Sequence, residues 1–465
     1  MVDDRLKDLR GPSRREFLRW AGTVAALLGV DRARFLNVIG ETAGTANADV
    51  AACASTNLAF SLVGGNGGIS NIRLIAPHVK VANGGNANAP FHAIGKAVAA
   101  DGYDKPFMYA PESPWKNGKW KWSAFMAGTN ETHTATPQTA ATVATGTSML
   151  AAISAIATTA NPSLVPAIAI NPVNFGTAPG SPAVASVNNA AGLVDLFNSA
   201  ASRALLQADQ NAALAEAYYK AFLNLNAAAN RSSTVKQYGV GKVAMNLLGK
   251  NLAEQLRPTP ADEAIFGLAA GAPTNVTEIV RAMITAVKAF RLGLTSHVVA
   301  PFYRDDPHGL FAGGDAGATT KAQMMGKYFD GLLQFASASP DPSCSSKTLA
   351  DRIIITAHGD TPKSYNNRGG WPDGTTQNSN ILLVMGNGFL RSGWFGDFDP
   401  AGNGSVAGWD RTTGAATPGA YNGADLGNSA SAAALYAMAR GDMRRVQDFY
   451  RGPALGDGVI VPQNL

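Results

Sequence analysis

The chain has 465 residues, of which 46% are hydrophobic and only 15% charged, against roughly 25% charged in an ordinary soluble domain. Its 50 Gly and 25 Pro follow no Gly-X-Y period, which excludes collagen, and a low charge made up by Ala, Gly, Ser, Thr and Asn excludes the highly charged kind of disorder. The formal charge of +5 comes without a long Lys/Arg run after the first forty or so residues, so no nucleic acid is implied, and no apolar stretch approaches the roughly eighteen residues of a transmembrane segment.

At the N-terminus, Ser13-Arg14-Arg15-Glu16-Phe17-Leu18-Arg19 precedes a short, mild apolar run from Trp20 to Val30. Paired arginines followed by Phe-Leu and an Ala/Leu/Val stretch read as a twin-arginine export signal, so the expected partner is the twin-arginine export machinery and the expected location periplasmic or extracellular. Residues 1–48 are assigned to signal and linker, ending at the small-residue site Ala46-Asn47-Ala48, and residues 49–465 to one large domain. Removal of the first 48 residues takes away 8 Lys/Arg and 6 Asp/Glu and leaves +3. Cys53 and Cys344 are the only cysteines. In an exported chain they are expected to form a disulfide; the alternative is lipidation of Cys53, which ends the lipobox-like Val50-Ala51-Ala52-Cys53.

Leu58 to Val63 reads as a strand that runs into Gly64-Gly65-Asn66-Gly67-Gly68, with Ile72 to Ile75 as its continuation. In Trp115-Lys116-Asn117-Gly118-Lys119-Trp120-Lys121-Trp122 the Asn-Gly pair predicts a type I′ hairpin, whose tryptophans either stack on a sugar or base or pack on the hairpin and domain. Residues 139 to 160 read as an Ala-rich helix, Val165 to Ile170 as a buried strand, and 191 to 256 as mostly helical. A helix capped by Asn275, with Glu278 three residues on, carries Val276, Ile279, Val280, Met283, Val287 and Phe290 on one face and ends near Gly293. Then follow a strand at His297 to Pro301, a loop through Asp306 and His308, and a helix with Met325, Tyr328, Phe329 and Leu332 inward. Strands at Ile353 to Thr356 and Ile381 to Met385 and a helix at Ser429 to Arg440 complete the order. Strand, helix, strand in this rhythm predicts an α/β fold with a mostly parallel sheet flanked by helices.

Ligands of open parallel sheets bind beyond the carboxyl ends of the strands. Asp305, Asp306 and His308 follow one predicted strand, and His358 and Asp360 another, so these groups are candidates for a divalent metal; each is also compatible with an ordinary polar turn. Four of the six histidines, His78, His133, His308 and His358, lie near predicted strand ends or helix starts. Thr139, in Thr136-Pro137-Gln138-Thr139-Ala140-Ala141-Thr142, stands ahead of a predicted helix. A hydroxyl there is either a cap or a nucleophile placed where backbone N–H groups stabilise an anion.

These residues carry a resemblance. Ile353-Ile354-Ile355-Thr356-Ala357-His358-Gly359-Asp360 resembles the strand and Asp-His-Gly motif of the alkaline phosphatase and sulfatase superfamily, with Ala357 at the motif's Asp. Pro137-Gln138-Thr139-Ala140-Ala141-Thr142 resembles the alkaline phosphatase nucleophile segment, with Gln138 at a metal-binding Asp. In order and spacing the chain is similar to the twin-arginine-exported, sulfatase-like proteins of domain of unknown function 1501, through the export signal, Gly64 to Gly68, Thr132-His133, Asp306-Pro307-His308, Gly386-Asn387-Gly388 with Arg391-Ser392-Gly393, and Asp425-Leu426-Gly427.

The resemblance implies an alkaline phosphatase/sulfatase-like fold and a metal-dependent hydrolase of phosphate or sulfate monoesters, acting on a small-molecule or polymer ester. Thr139 would be the nucleophile, and Asp306, His308 and His358 the ligands of at most one divalent ion, Zn, Ca or Mn, with Asp360 or Asp373 as a further ligand. The departures are specific. Gly67 replaces an Asp of the glycine loop, Thr356-Ala357-His358-Gly359-Asp360-Thr361 stands for Thr-Glu-Phe-Gly-Arg-Thr, and Gly370-Trp371-Pro372-Asp373-Gly374 lacks the histidine of Gly-Arg-Asp-His-Trp. They support the alternative of a non-catalytic secreted or surface binding protein on the same fold. A third class is a carbohydrate-binding module that uses the Trp115 to Trp122 hairpin.

Overall fold

The computed structural model describes residues 56–64, 77–83, 120–127, 141–161, 163–171, 175–197, 251–302, 314–359, 381–398, 406–417 and 423–463. The expected export signal, the glycine loop with its expected Ile72 to Ile75 continuation, Trp115 to Lys119, Thr139, Asp306, His308, Asp360 and Asp373 lie outside them. In chain order the strands are β1 (Leu58–Gly64), β2 (Lys121–Met126), β3 (Thr142–Ala144), β4 (Thr147–Ser148), β5 (Ala167–Ile170), β6 (Val184–Val187), β7 (His297–Pro301), β8 (Pro340–Asp341), β9 (Cys344–Thr348), β10 (Ile353–Gly359), β11 (Ile381–Gly386), β12 (Gly393–Phe395), β13 (Asp397–Phe398), β14 (Val406–Trp409) and β15 (Ala416–Thr417). The helices are α1 (Val79–Asn83), α2 (Met149–Ala160), α3 (Ala190–Leu196), α4 (Leu252–Leu256), α5 (Pro260–Ile265), α6 (Thr274–Arg291), α7 (Gly314–Ser337), α8 (Gly423–Met438) and α9 (Met443–Gln447).

Eight strands form one sheet in the order β12-β2-β11-β10-β1-β7-β5-β6. β10, β1, β7, β5 and β6 are mutually parallel, and β11 runs against both β10 and β2, so β11 alone opposes the common direction. The chain is thus an α/β protein with a mostly parallel sheet, as the strand-helix rhythm predicts. The central strands β1 and β10 bury all seven of their residues, which is why their apolar residues do not alternate with exposed polar ones.

Two hydrophobic clusters cover the faces. Phe60, Leu62, Ile353 and Ile355 meet α3, α4, α6 and α7 on one side. Ala59, Val63, Ile354 and Val384 meet α2 and α8 on the other. The α6 face is as the periodicity predicts, with Val276, Ile279, Val280, Met283, Val287 and Phe290 at 3% exposure or less. Each such Ile or Phe contributes about 1.5–3 kcal/mol relative to exposure. α2 and α8 pack against each other through alanines, including Ala151, Ala152, Ala433 and Ala434. Small side chains allow that close approach, and this accounts for part of the alanine excess.

Three expectations need correction. The helix expected from residue 139 begins at Met149; Thr142 to Ser148 form the β3–β4 hairpin, because Thr142, Val143, Thr145 and Thr147 are β-branched and Gly146 turns at φ 74°. Asn275 does not cap α6. The cap position is Pro273, with no side-chain bond, and the helix starts at Thr274. β10 does not stop at Thr356 but runs to Gly359, since Ala357 and His358 continue its pairing with β1. Trp120 and Trp122 pack on the domain, one of the two readings of that segment: β2 is flanked by β11 and β12, and both rings are buried, with Trp120 Nε1 donating to the Ala350 carbonyl at 2.7 Å.

The segment after α9 returns to the sheet's edge. Gly456 N and Gly458 N donate to the Arg411 and Thr412 carbonyls at 2.9 and 3.0 Å, and Val461 N donates to Phe389 O at 2.9 Å, while Arg391 N donates back to Val459 O at 2.9 Å. A side chain at Gly458 would overlap the Thr413 backbone, so glycine there permits the close approach.

Candidate functional site

The common strand direction puts the carboxyl ends of β1, β2, β7 and β10 at one edge. Val63, the penultimate residue of β1, is in register with His358 on one side and Pro301 on the other. The chain therefore leaves β1, β7 and β10 at nearly the same level. Adjacent strands β1 and β7 also send their continuations to opposite faces: α1 places Val81 in the α2/α8 cluster, whereas α7 lies in the other. A pair of neighbouring strands with diverging continuations is a topological switch point, where ligands of α/β sheets bind.

Of the predicted site residues, the structure describes His358. It sits inside the end of β10, 2% exposed, and by strand alternation lies on the face of Ile354 and Thr356, under α2 and α8. Thr139 stands two residues before Ala141, and Ala141 is placed: its carbonyl accepts from Met149 N at 2.9 Å, so the β3–β4 hairpin folds back to the start of α2. Ser148, in the cap position, does not cap α2; its hydroxyl donates to Phe175 O at 2.7 Å. Asp306 and His308 begin four residues beyond Phe302, whose N donates to Val63 O at 3.0 Å. Among the described residues no three His, Cys, Asp or Glu side chains gather as a metal-binding group, and no helix is long and apolar enough to cross a membrane.

A second histidine at this edge was visible in the sequence only as one of four near element ends. His78, 5% exposed, stands just before α1, with Nε2 3.4 Å from Asp397 Oδ1, beyond the end of β12. Its Nδ1 accepts from Lys80 N at 3.3 Å, and Lys80 Nζ pairs with the other Asp397 oxygen. Trp394 presents a T-shaped face 5.2 Å from the imidazole and donates from Nε1 to Pro77 O at 2.9 Å. Burial lowers the His78 pKa to about 4, with Asp397 opposing that shift and Lys80 adding to it. With both ring nitrogens and the carboxylate engaged, this group pins α1 to the edge strand. A pairing between residues more than three hundred apart leaves no sequence signal.

No family model, curated protein or solved structure matches this chain.

Proposed function

We propose that the protein is an exported hydrolase of phosphate or sulfate monoesters on an alkaline phosphatase/sulfatase-like fold, with its reaction centre at the carboxyl edge of β1, β7 and β10. The observation that carries this reading is the double register of Val63 with His358 and Pro301. It ends β7, the strand that precedes Asp306 and His308 in the chain, at the level of His358 with β1 between them. The return of Ala141 to the start of α2 supports Thr139 as the nucleophile, because a helix N-terminus favours the anionic oxygens of a phosphoryl or sulfuryl group.

In this reading the Thr139 oxygen attacks phosphorus or sulfur, the alcohol leaves with a proton, and water then hydrolyses the threonyl ester. Asp306, His308 and His358 would hold one divalent ion, which supplies positive charge to the oxygens of the reacting group when bound. The other reading, a non-catalytic binding protein, is favoured by the deep burial of His358. Metal analysis of the exported protein, together with turnover of aryl phosphates and aryl sulfates, separates the two. About one ion per chain with turnover is expected; substoichiometric metal and no turnover sink the hydrolase.

A further inference from the structure

One guanidinium joins the two stretches of chain that carry the cysteines. Arg352, 2% exposed, donates from one amino group to Asp341 Oδ1 at 2.7 Å and to Ser343 Oγ. From the other it donates to the Thr56 carbonyl at 3.0 Å and to Asn161 Oδ1. Ser343 immediately precedes Cys344, and Cys344 pairs with Asp341 across the β8–β9 turn. Thr56 follows Cys53 by three residues, a reach of at most about 11 Å. Cys344 is disulfide-bonded and buried, and Cys53 is the only other cysteine in the chain.

The contacts that hold these stretches need no sulfur. Asn57 Nδ2 donates to Ala437 O at 2.7 Å and Asn57 N to Met438 O at 2.9 Å; Leu58 N donates to Arg352 O at 2.8 Å; Asn161 Nδ2 donates to Thr56 Oγ1 at 2.8 Å. Arg440 donates to Asn57 Oδ1 at 3.1 Å. Asp341 and Arg352 are both charged groups taken out of water, and removal of either leaves the other buried and unpaired. The cluster draws its groups from the start of β1, the ends of α2 and α8 and the residue before β10, so its contacts require all four elements in place.

We propose that the disulfide is a redox lock added to an already folded chain, its two thiols brought together by the Arg352 hub. Closure consumes a small disulfide donor such as oxidised glutathione. One cysteine thiolate attacks the donor and releases one glutathione thiolate. The second cysteine thiolate then displaces the other, so two electrons and two protons pass from the protein to the donor. Because the loop spans roughly 290 residues, an unfolded chain brings these thiols together rarely. The proposal is independent of the hydrolase reading.

The test equilibrates the full reduced chain with reduced and oxidised glutathione, in native buffer and in concentrated urea, and reads the closed fraction by mass. The effective concentration of the thiol pair is expected to be at least about a hundredfold higher in native buffer; equal values overturn the proposal. C53S/C344S is expected to keep a cooperative unfolding transition with a lowered midpoint, and loss of that transition also overturns it. Asp341→Asn is expected to lower the native-buffer value at least about tenfold. Should that variant lack a cooperative transition, Ser343→Ala, which removes one acceptor from the same guanidinium, is expected to lower it about threefold. An unchanged value in whichever of the two folds removes the hub from the account.

Discussion

His297 Nδ1 and Ser154 Oγ lie 2.6 Å apart in the core, joining the first residue of β7 to the middle of α2. The imidazole is fully buried, its Nε2 is 3.0 Å from Ser61 Oγ, and Ser61 Oγ in turn accepts from Thr356 Oγ1 at 2.8 Å. Burial pushes the His297 pKa down to about 3. The unfolded chain takes up a proton below about pH 6.5, and the folded chain does not until about pH 3. This contribution to stability is therefore whole above about pH 6.5 and falls as the pH drops through that window, by up to about 1.4 kcal/mol per pH unit. His78 acts with the same sign down to about pH 4. Urea midpoints taken between about pH 7.5 and 5 should decline toward acid, and His297→Asn should flatten the decline while lowering the midpoint at the neutral end. An unaltered slope in that variant would falsify the assignment.

Two helical glycines should resist a change that normally helps a helix. Alanine is favoured over glycine in a helix interior by about 1 kcal/mol. A Cβ at Gly331 in α7, however, would lie 2.6 Å from Phe266 Cα and 2.9 Å from Ile265 O, and one at Gly427 in α8 would overlap the Ala127 carbonyl oxygen. Backbone cannot give way as a side-chain tip can. Gly331→Ala and Gly427→Ala should each destabilise by about 1–3 kcal/mol, read as a loss in chemical-denaturation free energy; a gain in either would show that α5 or the end of β2 yields.

α5 should report on its capping box. Thr259 Oγ1 accepts from Asp262 N at 3.2 Å, and Asp262 Oδ2 accepts from Thr259 N at 2.8 Å and from Lys288 Nζ at 2.5 Å. Burial alone would raise the Asp262 pKa, but the bonds from Lys288 and Thr259 outweigh it and hold the group below the usual carboxylate value. Its stabilisation is thus present above about pH 4 and is lost as the carboxylate protonates below that. Thr259→Ala should cost about 1 kcal/mol. Asp262→Asn should remove the acid-side loss, which pH-dependent melting curves would detect.

The proposed reaction centre makes distinct demands on its residues. Thr139→Ala should reduce ester turnover by about a thousandfold or more and leave bound metal unchanged. His358→Asn should lower metal content and turnover together while the sheet persists by circular dichroism. Full turnover in Thr139→Ala would remove that residue from the chemistry whatever the fate of the metal.

The elements easiest to read were those with one dominant pattern. Val298 to Pro301 is apolar and follows the turn residues Thr295 and Ser296, and the α6 face repeats every three to four positions, so both stand where the sequence pattern puts them. The β3–β4 hairpin was hidden because its alanines and threonines continue the composition of α2, and only Gly146 marks the turn. The reversed direction of β11 was not legible at all, since a buried apolar strand looks the same either way. Nothing in the sequence marks Arg352, the residue ahead of Ile353, as buried. Its burial depends on Asp341, Thr56 and Asn161, which tertiary folding alone assembles. At the candidate site the sequence located the edge through His358 but placed it after the strand, because a histidine following Ile-Ile-Ile-Thr-Ala does not look like the sixth residue of a buried strand; its pairing with Val63 shows that it is.

The stitching of Gly456, Gly458 and Val461 onto Arg411, Thr412 and Phe389 has a bearing on biosynthesis. These residues leave the ribosome after every strand of the main sheet has been made. The strands β1, β5, β7 and β10 all precede this segment in the chain, so the flank beside β12 cannot be sealed until translation has passed Val461.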